Sequence, residues 1–75
     1  MPALPIISGA EAVRGFSNDG WIAVRQRGSH IIMVKDGSHA SLSVPNHREL
    51  ARGTLRSLIR DAGLTTDEFI ELLQA

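Results

Sequence analysis

Trp21-Ile22-Ala23-Val24-Arg25-Gln26-Arg27-Gly28-Ser29-His30-Ile31-Ile32-Met33-Val34-Lys35-Asp36-Gly37-Ser38-His39-Ala40-Ser41-Leu42-Ser43-Val44-Pro45 is the stretch on which the fold turns. Trp21–Gln26 is rich in β-branched and aromatic strand formers. Gly28-Ser29 punctuates it, and His30–Lys35 reads as a second strand, apolar on both faces until Lys35. Asp36-Gly37 is a hairpin signal, because glycine accepts φ > 0. Ala40–Val44 then alternates, with Ala40, Leu42 and Val44 toward a core and Ser41 and Ser43 outward, and Pro45 closes the strand. Three short strands joined by tight turns imply an antiparallel meander. The pattern leaves open which face of the second strand meets solvent.

Helices flank this core. Met1–Ile7 carries two prolines and reads as an extended lead-in. Ser8-Gly9-Ala10-Glu11 fits a capping box, in which hydroxyl and carboxylate each satisfy an orphan backbone N–H. A helix over roughly 9–18 should follow, burying Val13 and Phe16 with Ala10 or Ala12, and Asn18-Asp19-Gly20 should end it. After Pro45, residues 46–53 form a polar connection anchored by Leu50, with Gly53 interrupting any helix there. Thr54 caps a helix to Ala62 with Leu55, Leu58 and Ile59 inward, and Gly63 stops it as a left-handed C′ residue. Thr65-Thr66-Asp67-Glu68 is a second capping box, opening a short helix with Phe69, Ile70, Leu72 and Leu73. The expected fold is therefore α+β, α-β-β-β-α with a three-stranded antiparallel sheet, helices on one sheet face and a short C-terminal helix. That order matches double-stranded-RNA-binding domains, a likeness of fold that does not by itself give a function.

Composition bounds the rest. The 75 residues make one domain over 1–75, with no cysteine for disulfides or thiolate metal sites. The Ile31–Val34 run is far short of the ~20 apolar residues a membrane span needs. No charged segment followed by a long apolar one opens the chain, so no signal peptide is read and a cytoplasmic location is expected. The net charge of zero hides a split. Residues 1–60 hold all eight bases (Arg14, Arg25, Arg27, Lys35, Arg48, Arg52, Arg56 and Arg60) against Glu11, Asp19, Asp36 and Glu49. Residues 61–75 hold Asp61, Asp67, Glu68 and Glu71 and no base. A basic body with an acidic tail suits polyanion binding, and it equally describes an ordinary solvated surface.

The chemistry, if any, rests on histidine. His30, His39 and His47 lack helical i, i+4 spacing and no carboxylate cluster joins them, so no metal or cofactor is expected. No phosphate-loop or nucleophile-elbow motif is present. His30 follows Arg27-Gly28-Ser29: Gly28 permits close backbone approach, Arg27 and Ser29 bring donors, and an imidazole is suited to proton transfer near neutrality. The same residues also fit a hairpin turn ending in a histidine that merely packs. His47, in Val44-Pro45-Asn46-His47, reads as a second proton donor, a phosphate contact or a plain loop residue, and His39 as solvent-exposed. Arg48, Arg52, Arg56 and Arg60 recur every four residues, either a phosphate rail or the solvated face of an amphipathic helix. Trp21 reads as core rather than as a base-stacking platform.

The succession Gly20-Trp21, Arg25-Gln26-Arg27-Gly28-Ser29-His30, Val44-Pro45-Asn46-His47 and Leu50-Ala51-Arg52-Gly53-Thr54-Leu55-Arg56-Ser57-Leu58-Ile59-Arg60-Asp61-Ala62-Gly63-Leu64 resembles the HicA toxins of toxin–antitoxin systems, from about Ser8 to Phe69. The resemblance implies a double-stranded-RNA-binding-domain-like fold and an mRNA-cleaving endoribonuclease. Its catalytic histidine, following Gly-Ser, is His30 here, and its partner is a HicB-type antitoxin that masks the site. His47 and Arg52 fall at family-typical positions without a catalytic role being carried over. The neutral overall charge departs from the usual strongly basic family. The expected site comprises His30 as the catalytic group and Arg27, Gly28, Ser29, Arg52 and Arg56 as RNA contacts, with mRNA as substrate and no metal, cofactor or membrane. The alternative is a non-catalytic RNA-binding module of the same fold.

Overall fold

Ser8 and Glu11 set the first helix by satisfying each other's backbone. Ser8 Oγ accepts from the Glu11 N–H and Glu11 Oε1 accepts from the Ser8 N–H, both at 3.1 Å. Helix α1 (Gly9–Ser17) follows, capped at its end by Asn18, whose Nδ2 donates to the Leu72 carbonyl at 2.9 Å. Its buried stripe runs through Ala12 and Phe16; Ala10 faces solvent and Val13 is half-buried. The computed structural model describes residues 3–75, so the Met1 and Pro2 start of the expected lead-in lies outside the described residues. Within the lead-in, Leu4 and Ile7 are buried in the core, a role that no periodic pattern announces. Leu50 N–H donates to the Ile7 carbonyl at 2.8 Å and fastens that segment to the connection before the second helix.

Strands β1 (Ile22–Arg27), β2 (His30–Val34) and β3 (Ser41–Pro45) form one antiparallel sheet in the order β1-β2-β3. Three boundary expectations are corrected. Trp21 precedes β1, which runs on through Arg27, paired with His30. Ala40 lies outside β3 and is exposed, because the turn at Ser38 N–H to Lys35 O (3.1 Å), with Gly37 at φ +83°, needs further residues before pairing resumes. Lys35 lies beyond β2, where its Nζ is 3.1 Å from Asp19 Oδ2.

Helix α2 (Arg52–Asp61) begins earlier than the residues suggest. Thr54 is its third residue rather than its cap, and Gly53 lies within the first turn without interrupting it. The first helical bond runs from Leu55 N–H to Ala51 O at 3.0 Å. First-turn N–H groups have no intrahelical acceptor in any case, so a glycine there breaks no bond. The end is as expected: Leu64 N–H reaches Ile59 O (3.1 Å) and Gly63 N–H reaches Arg60 O (3.0 Å), with Gly63 at φ +75°. Helix α3 (Thr66–Gln74) starts on the Thr65–Glu68 capping box and sets Phe69 against Phe16, ring centroids 4.8 Å apart.

The helices form one layer. Helices α1 and α2 pack on the sheet, and α3 packs on α1 and α2. The core joins Met33, Leu42 and Val44 of the sheet to Phe16, Trp21, Leu55, Leu58, Ile59 and Phe69. This is the α+β arrangement of double-stranded-RNA-binding domains with an added third helix. No helix among the described residues is long and apolar enough to cross a membrane.

Gly9 sits where α1 meets the end of β3. Its N–H donates to His47 O at 2.8 Å, and an added Cβ would overlap the Pro45 carbonyl oxygen and lie 2.9 Å from Asn46 Cα. Gly53, by contrast, has open space around it in helical backbone. Gly9→Ala is therefore expected to destabilise the domain by about 3 kcal/mol through overpacking. Gly53→Ala is expected to stabilise it by about 0.5–1 kcal/mol, by restricting the unfolded chain. Urea titrations of both variants check the opposite signs.

Candidate active site

A β-bulge decides what stands around His30. In β1, Ala23 pairs with Met33 and Arg25 with Ile32, so Val24 is an extra, unpaired residue. Cross-strand partners share a face, and successive residues alternate. Ala23 therefore shares the inner face with buried Met33, while Arg25 and Arg27 share the opposite face with Ile32 and His30. Without the bulge, residues 23, 25 and 27 would share one face and both arginines would point at the helices. A one-residue shift flips every following side chain.

The outer sheet face thus carries Arg25, Arg27, His30 and Ile32, with Ser41 and Ser43 of β3 beside them. Arg27 and His30 are directly opposite, joined by the two-residue turn Gly28-Ser29. Gly28 has φ +58° and Ser29 has none of the positive region, the type II′ pattern that suits a two-residue hairpin. The turn, rather than crowding by this chain's own backbone, requires the glycine: nothing lies within 4 Å of a Cβ added there. Gln26 Nε2 donates to Gly28 O at 3.0 Å, and Asn46 N–H donates to Ser29 O at 2.6 Å. The Gly28–His30 turn is thereby tied to the Pro45–His47 segment. His30 is exposed, and its Nδ1 lies 3.0 Å from Ser43 Oγ, leaving Nε2 free for an incoming group.

Arg27, Gly28, Ser29 and His30 are therefore one local constellation. Arg52 opens α2 and Arg56 follows one turn on, both exposed, in the helical layer behind the sheet rather than on the face of His30. Arg48 lies outside the helix, so the four-residue recurrence is a helical stripe only over Arg52, Arg56 and Arg60. His39 and His47 are exposed in loops, and Trp21 is buried. The one ion pair among the described residues is Lys35–Asp19, which leaves Arg25 and Arg27 available to an external anion. No group of three potential metal ligands converges among the described residues. A groove of about 260 Å³ lies elsewhere, lined by Asp19, Leu64, Glu68, Glu71, Leu72 and Ala75, and its carboxylates make it unsuited to phosphate. Ser43 and Arg25 were missed from sequence. The outward serine of β3 carries no motif, and Arg25 reaches the site only through the bulge.

The model of the HicA toxins of bacterial toxin–antitoxin systems matches residues 9–64, which take in every element from α1 through α2. The chain belongs to the HicA toxin family. A solved chain from a toxin–antitoxin complex of Streptococcus pneumoniae is similar to it, at 36% identity and a TM-score of 0.69, over 77% of this chain and 98% of that one. No curated protein matches it significantly. Within this HicA-family chain, the matched segment contains the Gly28–His30 turn, the bulge, and α2.

Deleting Val24 tests this register. The deletion removes the unpaired residue and leaves Ala23 opposite Met33 and Arg25 opposite Ile32 in regular alternation, so Arg25 and Arg27 keep the outer face. The expected outcome is a folded chain, destabilised by no more than about 3 kcal/mol, and Val24→Thr, which keeps the residue count, should fold normally as well. Circular dichroism with thermal melts checks both.

Proposed function

We propose that this HicA-family chain is an endoribonuclease that cleaves mRNA through the single histidine His30, without a metal ion, and that a HicB-type antitoxin restrains it. The observation that carries the reading is the open sheet face, on which an exposed imidazole with a free Nε2 stands opposite an unpaired arginine. RNA contains its own nucleophile. His30 Nε2 takes the proton from a ribose 2′-hydroxyl, and the 2′-oxygen attacks the adjacent phosphorus in line. The bond to the 5′-oxygen breaks, leaving a 2′,3′-cyclic phosphate and a 5′-oxygen that takes a proton from solvent. Arg27 and the backbone N–H groups of the Gly28-Ser29 turn stabilise the negative charge that develops on the non-bridging oxygens of the pentavalent phosphorus. Arg52 and Arg56 contribute, in this reading, to holding more distant phosphates. One general base supplies about 10²–10⁴-fold, so a slow nuclease follows.

His30→Ala is expected to remain folded, because the residue is exposed, and to lose both RNA cleavage and growth arrest on expression. Wild-type cleavage should survive EDTA and fail on RNA carrying a 2′-deoxy sugar at the cut site. Arg27→Ala should weaken RNA binding and lower the log–log salt slope by about 0.7. A folded His30→Ala variant that cuts at the wild-type rate would overturn the catalytic reading. RNA binding with no cleavage by the wild type would favour the non-catalytic module instead.

The antitoxin reading is supported by what RNA does not explain on the same face. Ile22 (57% exposed), Val24 (52%) and Val34 (38%) lie uncovered at the end of the sheet away from His30. An apolar patch continuous with Arg25 and Arg27 suits a protein that brings apolar side chains and carboxylates, and covering it blocks His30 without distorting it. Acidic residues of α3 lie in the helical layer, clear of that face. Ile22→Glu is expected to weaken antitoxin binding by about 100-fold in titration calorimetry, through a buried unpaired charge, while cleavage by the free variant stays at the wild-type rate. Unchanged affinity would place the antitoxin elsewhere.

A further inference from the structure

We propose that Ser43 is the positioning residue for His30, an assignment that rests on the ribonuclease reading above. His30 pairs across β2 and β3 with Pro45, which offers the ring neither an N–H nor a polar side chain. Ile32, two residues along the same face, pairs with Ser43. The serine is thus the diagonal neighbour of the histidine, and its Oγ lies 3.0 Å from Nδ1. With Nδ1 engaged toward β3, Nε2 is directed away from the strand and into the open face.

A hydroxyl is suited to this task because it both donates and accepts. When His30 acts as base, its neutral ring carries the proton on Nδ1 and donates it to Ser43 Oγ. After Nε2 has taken the 2′-hydroxyl proton, the imidazolium keeps that same Nδ1–H···Oγ bond. The ring need not turn during the transfer, and Ser43 neither gains nor loses a proton. Among the described residues no carboxylate pairs with His30, so the hydroxyl is the side-chain group that orients it. Ser41 provides an internal control: it is exposed on the same face of the same strand, paired with Val34, two residues farther from the ring.

The test uses the full chain and three variants, Ser43→Ala, Ser43→Thr and Ser41→Ala. Two readouts are taken: steady-state cleavage of a short RNA, and ¹⁵N spectra of the histidine ring nitrogens. Ser43→Ala should lower kcat by about 10- to 100-fold through loss of orientation, with KM changed less than about twofold. It should also move the His30 Nδ1 resonance away from its hydrogen-bonded position. Ser43→Thr keeps the hydroxyl and should restore both, and Ser41→Ala should change neither. Unaltered His30 resonances in Ser43→Ala would overturn the contact itself. Altered resonances with an unchanged kcat would overturn its catalytic role. A wild-type chain that cuts no RNA would overturn the ribonuclease reading and the catalytic role with it, while the spectra still report whether Ser43 holds the ring.

Discussion

The pleat of β2 governs this molecule. Burying Met33 in the core, with Ile31 half-buried against it, obliges His30 and Ile32 to face the other way, since alternate residues of a strand cannot share a face. Helices cover only the inner face, so the outer face stays open, and the one histidine within a strand stands on it. Every other feature of the site is arranged around that consequence. The hydrophobic contact that stabilises the fold and the exposure that makes His30 accessible are two results of the same alternation.

The bulge at Val24 reconciles two demands on β1. Ala23 shares the inner face with Met33, and Arg25 and Arg27 share the outer face with Ile32 and His30. A regular strand would satisfy one demand and violate the other. One extra residue lets Ala23 keep the inner face while Arg25 and Arg27 take the outer one beside His30. The capping boxes at Ser8 and Thr65 and the left-handed Gly63 act differently: they fix where helices start and stop, using only local hydrogen bonds.

Charge is arranged by layer rather than by chain position alone. Arg25 and Arg27 occupy the open sheet face, whereas the acids of α3 sit in the helical layer, with Glu68 and Glu71 lining a groove of their own. The neutral total is therefore the sum of two separated surfaces, and net charge is a poor guide to the potential that an anion meets at His30.

Much of this was legible in the sequence, because it depends on neighbours along the chain. The three strands, both capping boxes, the Gly63 stop, the inward Leu55, Leu58 and Ile59, and the Gly28–His30 turn all follow from local spacing. HicA-family membership was legible too, since its motifs are short contiguous runs. One local feature reads differently: Thr54 looks like a cap, but the Leu55–Ala51 bond starts the helix earlier. Other features depended on partners distant in sequence. Leu4 and Ile7 belong to no periodic pattern and are buried by what folds over them. Only the β1–β2 register, with Val24 unpaired, put Arg25 and Arg27 beside His30, and only the β2–β3 register put Ser43 against its Nδ1. Local sequence determined the elements, because turns, caps and periodicity act within a few residues; the tertiary structure decided the faces, because register is a relation between strands.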